Sequence, residues 1–221
     1  MSDVAVYALN GVDYTAGVQT CYLLAKDGDA VLIDASCSPG TLFEVLSACG
    51  CTLRAILLTH SHFDHCAAAA ALQAFAPIYA HPICNDMLSN GTWRAGLPVD
   101  VPPVWRPNIY VTDGQTLSIG AFSVRVIYTP GHTADSVCYL IDDAYLAGGD
   151  TVMNDMVCGT WQLPTGNAED LYRSGQKLWS LCPDDAYILG GHVSRPDRAE
   201  WAPYTPHSTV RRAKIRNWIN R

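Results

Sequence analysis

His60-Ser61-His62-Phe63-Asp64-His65 places three imidazoles and a carboxylate within six residues. An apolar run, residues 53–58, precedes this block, and an alanine- and leucine-rich run, residues 66–75, follows it and is stopped by Pro77. The first reads as a buried strand and the second as a helix. The block therefore occupies a strand-to-helix loop that can turn all four side chains toward one point. Neutral imidazole and carboxylate are the ligands that zinc and similar divalent ions take. In an extended segment His60, His62 and Asp64 share one face while His65 turns elsewhere, which suits a second ion. So many polar groups at a strand end are costly to bury unless something pairs them.

Three more ligand-type residues follow downstream, each after an apolar strand. His132 lies in Thr129-Pro130-Gly131-His132-Thr133, Asp150 in Ala147-Gly148-Gly149-Asp150-Thr151, and His192 in Leu189-Gly190-Gly191-His192. The glycines let the backbone turn sharply and approach closely. Asp34 ends another such run, Val31-Leu32-Ile33. Strand-end residues converging on one edge are what a site at the rim of a sheet requires. His81 also follows a short strand, but it has no ligand-type neighbour and is expected to be structural or exposed. His207 reads as a helix-start residue, and Cys66 as a packing residue.

Outward from these blocks, apolar strands and helices alternate. Residues 20–24 and 30–34 flank Asp27-Gly28-Asp29 and read as a hairpin. Residues 39–48 read as a helix with Gly50 past its end, and residues 78–80 as a short strand. Residues 89–107 hold four prolines, two glycines, Trp93 and Trp105, and read as a long irregular loop, either a functional lid or pocket wall or a surface excursion whose tryptophans pack on its own base. Strands are expected at 116–119, 121–128, 137–141, 144–146 and 187–189. Helices are expected at 168–181, capped by Asn167, and at 209–219. No linker or composition shift divides the chain, so residues 1–221 are expected to form one domain.

Composition narrows the function classes. At 49% hydrophobic residues the chain can bury a substantial core, and 16% charged residues argues against disorder. A net charge of −7 disfavours nucleic-acid phosphates as partners. No apolar run approaches the ~20 residues of a membrane span, and the start lacks the basic and apolar regions of an export signal. The expected location is cytoplasmic, with the nine cysteines reduced. No GxSxG nucleophile elbow is present.

HxHxDH, TPGHT, GGD and GGH, in that order and each after an apolar strand, resemble the metallo-β-lactamase superfamily across residues 34–192. The resemblance implies an α+β fold, a four-layer αββα sandwich of two mixed β-sheets with helices on the outer faces. It implies two divalent metal ions, zinc first, with iron or manganese as alternatives. His60, His62 and His132 would hold one ion, and Asp64, His65 and His192 the other. Asp150 would bridge them together with a water or hydroxide, and Asp34 would support the ligands from behind. A pair of such ions lowers the pKa of a shared water, to about 7 in the best cases, which supplies a hydroxide to attack a carbonyl. Asp64 would be the catalytic residue, orienting the hydroxide and then shuttling a proton.

Asp150 matches the family's thioesterases and lactonases, whereas its β-lactam-hydrolysing members generally carry Cys or Ser there. Residues 158–174 resemble short glyoxalase II-like hydrolases, with Thr160 where those usually carry Arg. The resemblance does not extend to the helical region that helps bind glutathione in full-length glyoxalase II. The implied substrate is a small-molecule thioester or ester, with no nucleic-acid or membrane partner. Alternatives are a lactonase or β-lactamase-like hydrolase, a mononuclear iron persulfide dioxygenase, and a non-catalytic metal-binding relative.

Overall fold

Two ten-residue strands, β1 (Ala5–Tyr14) and β2 (Gly17–Lys26), open the chain, and β2 turns back into β3 (Asp29–Ile33). The turn holds Asp27 and Gly28 at φ 51° and 81°, the paired left-handed conformation of a tight hairpin. In the computed structural model, residues 3–14, 17–96, 98–99, 104–154, 158–193 and 199–217 are described. After β3 come α1 (Pro39–Cys49), β4 (Thr52–Leu57), α2 (Phe63–Cys66), α3 (Ala69–Leu72), β5 (Ile78–Ala80), α4 (Cys84–Asn90) and β6 (Ile109–Tyr110). The second half runs β7 (Thr116–Ile119), β8 (Phe122–Tyr128), β9 (Val137–Ile141), β10 (Tyr145–Gly149), α5 (Ala168–Leu181), β11 (Tyr187–Gly190), β12 (Trp201–Pro203) and α6 (Val210–Asn217).

Among the described residues the strands form two mixed sheets, ordered β12-β1-β2-β3-β4-β5-β6 and β11-β10-β9-β8-β7. In the first, β3, β4, β5 and β6 are parallel and the other neighbours antiparallel. In the second, only the β10–β11 pair is parallel. Successive side chains of a strand point to opposite faces, so a strand buried on both sides reads as a continuous apolar run. In β3, Val31 and Ile33 face the second sheet beside Val124, Val126 and Tyr139, while Ala30 and Leu32 face the other way, toward Leu42 and Val45 of α1. A third cluster joins Ile127, Cys138 and Leu140 on the outer face of the second sheet to Leu178 and Trp179 of α5 and to Val210 and Ala213 of α6. Three apolar interfaces between four layers are the expected αββα sandwich.

Most expected elements form within a residue or two of their sequence limits. Asn167 caps α5, its side chain accepting from the amides of Glu169 and Asp170. The continuous helix expected at 66–75 does not form; two short turns, α2 and α3, replace it. The carbonyl of His65 accepts from the amide of Ala35 (2.7 Å), and the amide of Ala68 donates to the carbonyl of Ala35 (2.8 Å), so both leave the helical ladder to tie this segment to β3. Within 89–107, Trp93 and Trp105 are buried against the first sheet's outer face. Residues 97 and 100–103 of that loop, and 218–219 of the expected last helix, lie outside the described residues. The strands β1, β6 and β12 and the helix α4 were not among the expected elements.

Parallel pairing sets the strand ends side by side. Ile33 pairs with Leu57, which places Asp34 beside Thr59, and Gly149 pairs with Gly190, which places Asp150 beside Gly191. Two bonds cross between the sheets at this rim: Val137 N to Thr59 O and Thr20 N to Gly191 O, both 2.8 Å.

Candidate metal centre

All seven sequence-expected residues meet at that rim. His60 follows β4, His132 follows β8, Asp150 follows β10 and His192 follows β11. One grouping needs correction. An extended segment would have put Asp64 on a face with His60 and His62, but the backbone is extended only as far as His62, the N-cap of α2, at φ −60° and ψ 148°. Phe63 begins the helix, so Asp64 is swung to the side of His65 and His192. The ligand atoms of His60, His62 and His132 lie within 4.8 Å of one another, and so do those of Asp64, His65 and His192. A third such group, His60, His65 and Asp150, ties the two together.

Asp150 sits between the groups. Its Oδ2 is 3.6 Å from His132 Nε2 and 3.5 Å from His192 Nε2, and its Oδ1 is 3.4 Å from His65 Nε2. Asp64 Oδ2 is 3.3 Å from His192 Nε2 and 3.8 Å from His65 Nε2. Asp64 and His192, with side chains 15% and 17% exposed, mark the open side of the site; His60, His62, His65 and His132 are buried.

What lies behind each imidazole decides which nitrogen faces the centre. Asp34 Oδ2 accepts from His65 Nδ1 at 2.7 Å, so Nε2 is the nitrogen aimed inward and the one that a metal would take once the ring is neutral. The carbonyl of Thr160 does the same for His132 Nδ1, also at 2.7 Å. Close backbone approach makes this possible: a Cβ on Gly159 would lie 2.8 Å from His132 Nδ1, and one on Gly191 would strike the Asp150 carboxylate. Asp34 itself has φ 62°, an uncommon conformation that lets its side chain reach His65 directly after the strand.

These atoms fit a divalent-metal site. Nε2 of His60 and of His65, and Oδ1 of Asp150, are buried without a hydrogen-bond partner. Buried polar atoms are otherwise almost always satisfied. His62 Nδ1 and His132 Nε2 face each other at 3.0 Å, close to the about 3.3 Å separating two nitrogens that share a tetrahedral zinc.

Charge within the cluster is finely divided. Burial, aided by the neighbouring imidazoles, holds His60 well below the usual imidazole range and His62 down at about 3. Burial also pulls on His65 and His192, but carboxylates outweigh it: Asp34, Asp150 and Asp64 raise His65 well above the usual range, and Asp150 with Asp64 lifts His192 to about 9. Burial opposes ionisation of Asp64 and Asp150, yet the facing histidines hold both below the usual carboxylate range.

Sequence reading placed Asp34 behind the ligands and gave no role to Thr59, Gln19, or the Thr160 carbonyl. Only adjacency to His60 could have flagged Thr59; a carbonyl contact leaves no residue-type signal. His81 stands apart, stacked on Tyr128 at 4.3 Å, and Cys66 packs in the core.

Similarity to known proteins agrees with this geometry. The chain is 34% identical over 175 residues, 78% of its length and 72% of the relative, to a probable polyketide biosynthesis zinc-dependent hydrolase, BaeB, of Bacillus velezensis. It is 35% identical to a hydroxyacylglutathione hydrolase of Francisella tularensis subsp. novicida over 74% of this chain but only 58% of that enzyme. A di-iron-bound crystal structure of the protein TTHA1623 superposes with a TM-score of 0.71 at 27% identity, covering 94% of this chain and 98% of that one. Residues 14–192 match the family model of the metallo-beta-lactamase superfamily. With these strand ends, this ligand set and that match over most of its length, the chain belongs to the metallo-beta-lactamase superfamily.

Proposed function

We propose that this protein is a metal-dependent hydrolase of a small thioester or ester, with residues 1–221 forming one domain. In this reading His60, His62 and His132 hold one divalent ion, Asp64, His65 and His192 hold a second, and Asp150 lies between them. The observation that carries it is the set of buried, partnerless Nε2 and carboxylate atoms converging from both sheets. Members of the superfamily bind divalent metals, typically two. The named similarities, to a zinc-dependent hydrolase and a di-iron form, make zinc and iron the first ions to try.

When bound, such a pair supplies a Lewis acid and a water ionised near neutral pH. The protein's own residues do the rest. Asp64, on the open side and held ionised by His65 and His192, can accept the proton of an attacking water and return it to the leaving group. His132, fixed by the Thr160 carbonyl, keeps one wall of the site rigid, and the half-exposed Trp161 beside Thr160 offers an apolar surface for an acyl chain. The similarity to a hydroxyacylglutathione hydrolase supports a thioester. The nine cysteines are free thiols, the form kept in a reducing cytoplasm, which is where this reading puts the protein; among the described residues no helix is long and apolar enough to cross a membrane.

The test is a substrate panel of thioesters, simple esters, lactones, β-lactams and phosphodiesters, run with zinc-, iron- and manganese-loaded protein. Thioester or ester turnover is expected. Cleavage confined to β-lactams or phosphodiesters would overturn the substrate class.

A further inference from the structure

One hydroxyl at the centre belongs to none of the seven residues. Thr59 is buried, and its Oγ1 donates to Asp34 Oδ1 at 2.9 Å while its amide donates to the same oxygen at 2.8 Å. With that proton committed, Oγ1 faces His60 Nδ1, 3.1 Å away, as an acceptor. His60 is thereby fixed with its proton on Nδ1 and its Nε2, which has no partner, aimed inward. The other Asp34 oxygen receives His65 Nδ1. A single carboxylate thus supports one histidine from each group, His65 directly and His60 through Thr59.

Packing holds the threonine in that orientation. A Cβ at Gly149 would lie 2.5 Å from Thr59 Oγ1 and 2.7 Å from its Cβ, so the backbone just before Asp150 closes over the side chain. Gln19 Nε2 donates to Asp34 Oδ2 at 3.4 Å, and Thr59 Oγ1 also lies 3.2 Å from that oxygen, so the carboxylate is held at both of its oxygens.

We infer that Thr59 is a positioning residue that couples the two metal positions, setting His60 for the first by drawing on the same Asp34 carboxylate that sets His65 for the second. The inference rests on the two-metal reading given above. It makes an asymmetric claim: loss of the Thr59 hydroxyl weakens the first position alone, whereas loss of the Asp34 charge weakens both.

Chelator-competition titration with zinc tests this on the purified protein, measuring each position by itself. His192→Ala leaves the first position intact, and His62→Ala leaves the second. Adding Thr59→Val to the His192→Ala protein should weaken zinc binding roughly 10–100-fold, the usual effect of losing a partner behind a ligand. Adding it to the His62→Ala protein should change affinity less than about twofold against that scale. Thr59→Ser, which keeps the hydroxyl, should restore the first position, and Asp34→Asn should weaken both. Thr59→Ala replaces the valine variant if the latter does not fold, as judged by its circular dichroism. Equal losses at both positions, no loss at either, or failure of serine to rescue would each overturn the coupling role. Wild-type protein that binds fewer than two zinc ions would instead overturn the two-metal reading itself.

Discussion

Each imidazole at the centre has two nitrogens, and the group behind it decides which is free. A carboxylate stands behind His65, a hydroxyl behind His60 and a carbonyl behind His132. The seven ligand-type residues were legible in the sequence because their residue types are scarce and their positions, after apolar strands, repeat. Thr59 and the Thr160 carbonyl were not, since a threonine before a histidine and a backbone oxygen carry no distinctive pattern. Asp64 belongs to this scale as well. Asp64→Asn keeps the shape of the side chain but removes its capacity to take a proton, so turnover should fall at least about 100-fold while the circular dichroism of the protein stays that of the folded chain. An assay at wild-type rate with the asparagine variant would remove Asp64 from the mechanism. Gly131 carries a different constraint: its φ is 135°, and a Cβ there would collide with the backbone of Leu171. Gly131→Ala should therefore destabilise by at least about 2 kcal/mol, measured by urea unfolding, through the strained backbone and the displaced helix.

At the scale of elements, the strands and α5 were largely readable, because their apolar periods and end signals agree. The alanine-rich run after His65 was misread as one helix. Propensity favoured it, but the Ala35 backbone takes the His65 carbonyl and the Ala68 amide out of the ladder, and that bond is non-local. The three-residue β12 and two-residue β6 are too short to show a period at all. The start of α5 is tied to the site: the Asn167 amide donates to Gly131 O at 2.8 Å, and its side chain caps two amides of the helix. Asn167→Ala should cost about 1 kcal/mol, which lowers Tm by roughly 2–4 °C in a protein of this size. A melting curve unchanged by the substitution would show that the cap carries no weight.

For the molecule as a whole, the sandwich was legible through the order of four motifs rather than through composition, and the centre exists only because both sheets end at one rim. Its charges make stability depend on pH in a definite sense when metal is absent. His65 and His192 hold protons more tightly in the folded state, so their contribution is full below the ordinary imidazole value of 6.5 and is lost as pH rises, through about 9 for His192. His60 and His62, kept neutral by burial and, for His62, down to about 3, cost stability as pH falls below 6.5. Asp64 and Asp150, with lowered values, contribute above the usual carboxylate range and lose that contribution as pH falls. The metal-free cluster is therefore most favourable near pH 6.5. Metal must displace the protons of His65 and His192, so the Tm difference between loaded and metal-free protein should widen from pH 6.5 to 9. A difference that stays flat or narrows across that range would contradict this balance of charges.

The most direct measurement of the central claim is anomalous scattering from crystals of the metal-loaded protein, collected at the absorption edge of the bound metal. Two peaks are expected, about 3.5–4 Å apart, one among His60, His62 and His132 and the other among Asp64, His65 and His192, with Asp150 touching both. A loaded crystal with no peak in the cluster, or with His132 or His192 turned away from the metal, would contradict it.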